Sequence, residues 1–238
     1  METISAIATA MGEGGIGIVR LSGDEALAIA GRIFVPSGKK DAAEQKNFTA
    51  RHGRIVSREG ARETILDEAL LLVMRAPKSY TGEDVAEIHA HGGPAVLRSV
   101  WDLTVRHGAR PAQPGEFTKR AFLNGRLDLL QAEAVLDLIQ AKTERSVRWA
   151  ASQLQGRLSG RLRSLKEKLL EVLAQLEAAV DFPEDFPETD PLKRIDEKLA
   201  AVQSELKDLL EGAALGMLAK SGLTVVLWGR PNVGNPVS

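Results

Sequence analysis

Six residues near the end of the chain, Gly229-Arg230-Pro231-Asn232-Val233-Gly234, have the spacing of the opening of a phosphate-binding loop, G-x-x-x-x-G. They directly follow an apolar run, Leu223 to Trp228, that reads as a strand. Glycines at these places let backbone N–H groups turn inward onto phosphate oxygens. The chemistry then requires Lys, to reach the β- and γ-phosphates, and Ser or Thr, to hold magnesium. Here those two places are Asn235 and Pro236, followed only by Val237 and Ser238. The loop is recognisable, yet its two most chemical side chains are replaced, so little affinity for nucleotide is expected.

Three other groups of residues carry chemical potential. Gly12-Glu13-Gly14-Gly15-Ile16-Gly17 matches G-x-G-x-x-G, but a dinucleotide site needs a helix after the last glycine. The residues that follow, Ile18 to Gly23, are strand-like, so the glycines read as a tight turn between strands, with Arg20 projecting nearby. Glu87, His89 and His91 alternate along a strand and would share one face. Two imidazoles and a carboxylate can hold zinc, although residues two apart on one strand surround an ion poorly and no fourth ligand is evident. Glu87 beside a glycine turn is better suited to accept paired N–H donors from a heterocycle. Lys119, Arg120 and Arg126 form a basic cluster able to meet a carboxylate or phosphate, or else to begin a solvated helix. Arg157, Arg161, Arg163, Lys166 and Lys168 interleave with an apolar stripe as a solvent face would.

The elements that must position these residues change character near residue 116. Before it, strands are expected at Thr3–Ala8, Gly17–Leu21, Arg54–Val56, Glu68–Met74 and Val85–Ala90. Helices are expected over Asp24–Phe34, N-capped by Ser22 or Asp24, and over Pro94–His107. After Gly115 apolar residues recur every three or four positions, as in Leu158, Leu162, Leu165, Leu169 and Val172, and again in Ile195, Leu199, Val202 and Leu206. Those stripes predict antiparallel helices, with a break at the prolines Pro183 and Pro187. The expected class is α+β: a mixed domain at 1–116, an all-α helical domain at 117–220, and the first strand and phosphate loop of a third domain at 221–238. Net charge is −1 over 238 residues, so no global basic field announces nucleic acid. The absence of cysteine excludes disulfides, thiolate metal sites and cysteine nucleophiles. With no basic n-region and no apolar run near membrane-spanning length, a soluble, cytoplasmic protein without membrane association is expected.

Five segments resemble one known family. These are the opening Thr3-Ile4 run with GEGGIGIVRLSG (12–23), SYTGEDVAEIHAHGGP (79–94), PGEFTKRAFLNGRLDLLQAEAVLDLI (114–139), AAVDFPE (178–184) and GRPNVG (229–234). In this order they resemble the MnmE (TrmE) family of tRNA-modification GTPases. The resemblance implies an N-terminal domain that dimerises and binds 5-formyl- or 5,10-methylene-tetrahydrofolate, a helical domain, and a Ras-like G domain inserted into it. It implies a folate site at Arg20, Glu87 and Arg126, with Glu87 on the pterin donors and the arginines on acidic or carbonyl groups. It places the nucleotide loop at Asn232, Val233 and Gly234, Asn232 matching the asparagine that binds potassium. Family members use GTP, K+ and Mg2+, act on tRNA with an FAD-containing MnmG-like partner, and form the aminomethyl or carboxymethylaminomethyl group on the wobble uridine. The chain is accordingly read as truncated at the start of the G domain, with an incomplete helical domain, no catalytic residue for GTP hydrolysis and the folate site intact. Two rival readings are a non-enzymatic folate-binding and dimerisation module and an aminomethyltransferase-like folate enzyme. GTP turnover separates the family's activity from both.

Overall fold

The computed structural model describes residues 2–38, 45–60, 62–182, 191–221 and 228–229. It divides into two compact units, Met1–Ala132 and Glu133–Ser238.

The first unit is built on one seven-stranded sheet. Its strands are β1 (Ile4–Ile7), β2 (Gly17–Ser22), β3 (Phe34–Pro36), β4 (Thr49–Glu59), β5 (Arg62–Met74), β6 (Val85–Ala90) and β7 (Arg110–Pro111), in the spatial order β3-β4-β5-β6-β2-β1-β7. Every pairing is antiparallel except β1 with β7. The strand alternation divides β2 and β6 cleanly between the two sheet faces. Val19 and Leu21 of β2, and Ala86, Ile88 and Ala90 of β6, point into the core. There they meet α1 (Ala26–Ile33) through Ile29 and Ile33, and α2 (Pro94–Arg106) through Leu97, Val100 and Leu103. Arg20, Glu87 and His89 fall on the opposite face.

Helix α1 begins later than its apolar spacing predicted, and neither Ser22 nor Asp24 caps it. The N-cap position is Glu25, without a side-chain cap. Ser22 is still in β2, its hydroxyl committed to Thr81 and Glu83 at 2.7 Å each, while Thr3 Oγ1 accepts the Glu25 N–H at 2.9 Å. Helix α2 has Pro at its first turn as expected. After β7 the chain enters α3 (Glu116–Leu123), which belongs to the first unit, and α4 (Leu129–Gln140) crosses the division.

The second unit contains α5 (Glu144–Leu154), α6 (Arg157–Asp181) and α7 (Pro191–Ser221). Thr143 and Ser146 form a reciprocal capping box that starts α5. Gly156, at φ 77°, makes the left-handed turn between α5 and α6. Leu165 and Val172 of α6, and Ile195 and Val202 of α7, are buried seven residues apart on each helix, as the stripes predicted. Two ion pairs, Lys168 to Glu205 and Lys198 to Glu171, fix the antiparallel register. Leu162, Leu169, Leu170 and Leu173 form a second, exposed stripe along α6. The 223–228 strand and the loop residues Asn232, Val233 and Gly234 lie outside the described residues, apart from Trp228 and Gly229.

Candidate functional site

The site begins with the register of two neighbouring strands. Arg20 on β2 stands directly opposite Glu87 on β6, on the face away from α1 and α2. Arg20 Nε donates to Glu87 Oε1 at 2.7 Å, and the other carboxylate oxygen, Oε2, accepts from His89 Nε2 at 3.2 Å. The Glu87 side chain is 10% exposed and Arg20 27% exposed, so a nearly buried carboxylate lies beneath a guanidinium that solvent still reaches. Two rings flank that guanidinium: its carbon lies 5.6 Å from the centroid of Tyr80, the chain's single tyrosine, and 5.6 Å from that of Phe117. Tyr80 is held by a hydroxyl contact to Thr118 Oγ1 at 2.8 Å. Cation–π contacts of this length orient an arginine and leave its in-plane donors available. Among the described residues, only Nε of Arg20 has a hydrogen-bond partner.

Arg126 reaches the same neighbourhood through the loop that carries Tyr80. Its Nε donates to Ser79 O at 3.0 Å, and Asn124 Nδ2 donates to Thr81 O at 2.7 Å. Arg20 and Glu87 are therefore in direct contact, while Arg126 stands one residue of loop away from the ring beside Arg20. His91 does not join them. Strand β6 ends at Ala90, and the His91 ring turns to Asp67, with Nδ1 at 2.6 Å from Oδ1. Among the described residues no group of three or more His, Asp or Glu side chains is arranged to hold a metal ion.

The glycine run is the turn of the β1–β2 hairpin, with Ile7 opposite Val19. A strand follows the last glycine, and the context of a dinucleotide loop is absent. The turn lies against the end of β6. A Cβ at Gly92 would stand 2.5 Å from Gly14 O, so only glycine admits the close approach.

The basic cluster divides in an unexpected way. Lys119 is exposed, but Arg120 is buried at 8% exposure and serves neither phosphate nor solvent. Its Nη1 donates to both oxygens of Glu83 at 3.0 and 3.2 Å, and its Nη2 to Glu2 O at 2.8 Å and Glu116 Oε1 at 3.2 Å. Glu83 in turn accepts from Ser22. One guanidinium thus ties together β2, the 79–84 loop and α3, the three segments that carry Arg20, Tyr80 and Phe117. Sequence pattern alone did not reveal this network, because a buried arginine is recognised by its tertiary partners. A cavity of about 620 Å3 borders the same loop, lined by Asp24, Ala76, Gly82, Glu83, Asp84 and Asn124. Arg20 and Glu87 do not line it, and its acidic rim does not favour an anionic ligand.

The network extends to Arg110, whose Nη2 lies 2.6 Å from Glu116 Oε1. That hydrogen bond, with a smaller contribution from Arg120, draws the Glu116 carboxyl down to about 2, against the desolvation that opposes it. Because the folded value lies below the unfolded one, near 4.5, this contribution is complete above about pH 4.5 and fades as pH falls toward 2. Stability should decline through that window by about 1 kcal/mol from this group, allowing for solvent screening around Arg110. Urea titrations at pH 5 and pH 3 check this, and Glu116→Gln should flatten the difference.

No described helix is long and apolar enough to cross a membrane. Residues 3–126 match the family described as GTP-binding protein TrmE N-terminus, and residues 129–225 match the MnmE helical domain. The tRNA modification GTPase MnmE of Symbiobacterium thermophilum is 50% identical over 233 residues, covering 98% of this chain and 50% of the relative. The proteins of the same name from Carboxydothermus hydrogenoformans and Bacillus subtilis are each 47% identical, covering 98% of this chain and 50% and 51% of those relatives. The chain spans about half the length of the curated relatives it matches. Both matched regions, their order and this identity along nearly the whole chain establish that it belongs to the MnmE (TrmE) family of tRNA-modification GTPases.

Proposed function

We propose that the first unit binds a reduced folate, 5-formyl- or 5,10-methylene-tetrahydrofolate, at Arg20, Glu87 and Arg126. The observation that carries the reading is the Glu87 carboxylate, nearly buried on a sheet face and set beside the partly exposed Arg20 with Tyr80 and Phe117 around it. The donor set fits the ligand. A carboxylate accepts the paired N–H groups of a pterin edge, and the remaining in-plane N–H groups of Arg20 meet a carbonyl or carboxylate. Arg126, exposed and anchored through Nε, keeps its charge for the acidic tail. The folate supplies a one-carbon unit when bound, and the protein's part is to hold and orient it.

In this reading the whole protein is a homodimer through the folate-binding domain and acts in the cytoplasm. With an MnmG-like FAD protein it forms the 5-(carboxymethyl)aminomethyl group on the wobble uridine of tRNA, coupled to GTP hydrolysis with K+ and Mg2+. The printed name of the relatives, tRNA modification GTPase, supports the substrate and the nucleotide. The boundaries 1–116, 117–220 and 221–238 remain the proposed division into folate-binding, helical and G domains.

The nucleotide loop of this chain does not fit GTP. Asn235 brings a neutral amide where a Lys ammonium is needed, and Pro236 has neither hydroxyl nor N–H for magnesium and phosphate. Asn232 keeps the oxygen that a potassium ion would use, beside Val233 and Gly234. The purified chain should therefore show no GTP turnover above background in a phosphate-release assay, and a measurable rate would contradict this.

Calorimetric titration with 5-formyltetrahydrofolate tests the folate site. Micromolar binding is expected, weakened at least about 100-fold in Glu87→Ala and about tenfold or more in Arg20→Ala, as for loss of charged hydrogen-bond partners. A folded chain that binds no folate overturns the proposal.

A further inference from the structure

We infer that His89 guards the folate carboxylate, so that ligand binding at Glu87 is coupled to loss of a proton from the imidazole. The inference rests on the folate reading above. A carboxylate only accepts hydrogen bonds, so the 3.2 Å contact to Glu87 Oε2 requires the hydrogen on His89 Nε2. Arg20 already holds Oε1 at 2.7 Å. Both carboxylate oxygens are thus engaged, and a heterocycle that offers two N–H donors must displace a partner. His89 is the exchangeable one. Its contact is the longer of the two, its side chain is 28% exposed, and it sits at the solvent-facing end of the site. Arg20, by contrast, carries a permanent charge and is hemmed by Tyr80 and Phe117.

The other groups around His89 leave Glu87 as its one charged contact. From β6 comes Glu87 itself. From β2, Ile18 lies opposite His89, with Arg20 two residues further along the same face. From β5, Leu70 lies opposite, with Leu72 and Glu68 as its neighbours on that face. Glu68 faces His52 of β4 at 3.7 Å, and His52 also bonds Ser37. His91 is engaged with Asp67. When His89 is neutral, its hold on Glu87 is one ordinary hydrogen bond, which a pterin N–H replaces on equal terms. When it is protonated, the same contact becomes an ion pair in a poorly solvated place, and the ligand must break it. Low pH should therefore close the site without altering its shape.

The test is calorimetric titration of the full 238-residue chain with 5-formyltetrahydrofolate from pH 5.5 to pH 8, in two buffers of different protonation enthalpy. The wild type is compared with His89→Gln, which keeps an N–H donor but cannot take a proton. The expected result is wild-type affinity about tenfold lower at pH 5.5 than at pH 8, with proton release on binding at the acid end. In His89→Gln both the slope and the proton release should be lost. An equal pH dependence in the two proteins overturns the inference and leaves the folate site standing. A second measurement needs no ligand. Ring nitrogen NMR at pH 8 should show His89 as the Nε2–H tautomer, and a ring found as the Nδ1–H tautomer overturns the pairing with Glu87. A folded chain with the expected tautomer that binds no folate at any pH overturns the folate reading, and this inference falls with it.

Discussion

Replacing Arg120 by methionine should remove about 3–5 kcal/mol of folding stability, read as a lowered urea midpoint with an unchanged denaturant slope. The side chain is 8% exposed and its partner Glu83 9% exposed, so the substitution strands a carboxylate out of water. It also frees the Glu2 carbonyl and one oxygen of Glu116. The size of the effect comes from the uncompensated charge more than from the lost attraction. The double variant Arg120→Met, Glu83→Gln should therefore recover a substantial part of the loss, since no buried charge remains. A single variant within 1 kcal/mol of wild type would mean that water reaches Glu83 and that the network is superficial. The same substitution should also weaken folate binding, because Arg120 is the tie between the loop bearing Tyr80 and the helix bearing Phe117.

The second large effect belongs to Gly92→Ala. The new methyl would meet Gly14 O at 2.5 Å, Gly14 C at 2.8 Å and Ile16 C at 3.0 Å. All three are backbone atoms, which cannot turn aside as a side chain does. Either the 12–16 turn lifts or the end of β6 shifts, at about 3 kcal/mol, the upper part of the range for overpacking. Gly93→Ala is the control: its nearest neighbour is a Val96 methyl at 3.8 Å, an ordinary contact. Thermal unfolding of the two variants should differ by several degrees, and equal midpoints would show that the turn is not packed on Gly92.

Much of this arrangement is legible in the sequence, for reasons that also mark where legibility stops. Period-two alternation in β2 and β6 puts Arg20 and Glu87 on polar faces of their strands, and the helical stripes give α6 and α7 with their buried heptad pairs. What alternation does not give is register. That Arg20 stands across from Glu87, and not from Val85 or His89, depends on the β2–β6 pairing. The same rule misplaces His91, because the strand stops one residue earlier and the ring is free to find Asp67. Short elements such as β3 and β7 carry too few residues to show any period. The separate helix α5 did leave a mark, Thr143 with Ser146 three residues on, but serine is a weaker partner than the glutamate of the usual capping box. Arg120 was misread as surface because its burial is written in Glu83 and Glu116, both outside its own strand of argument until the chain folds.

The parallel pairing of β1 with β7, and the bond from Arg120 to the Glu2 carbonyl 118 positions away, also set the order in which the chain can acquire structure. Strand β1 is joined to β2 by a short hairpin turn, but its other edge waits for Arg110 and Pro111, and the buried charge network waits for α3. In the second unit, α6 and α7 meet over a few tens of residues, as Lys168 with Glu205 and Lys198 with Glu171 show. Loop closure over long separations slows folding, and helical hairpins are among the fastest assemblies. The helical unit should thus form its hairpin while the sheet, though synthesised first, is still closing, and a stopped-flow experiment should resolve a fast helical phase ahead of a slower one that Arg120→Met retards.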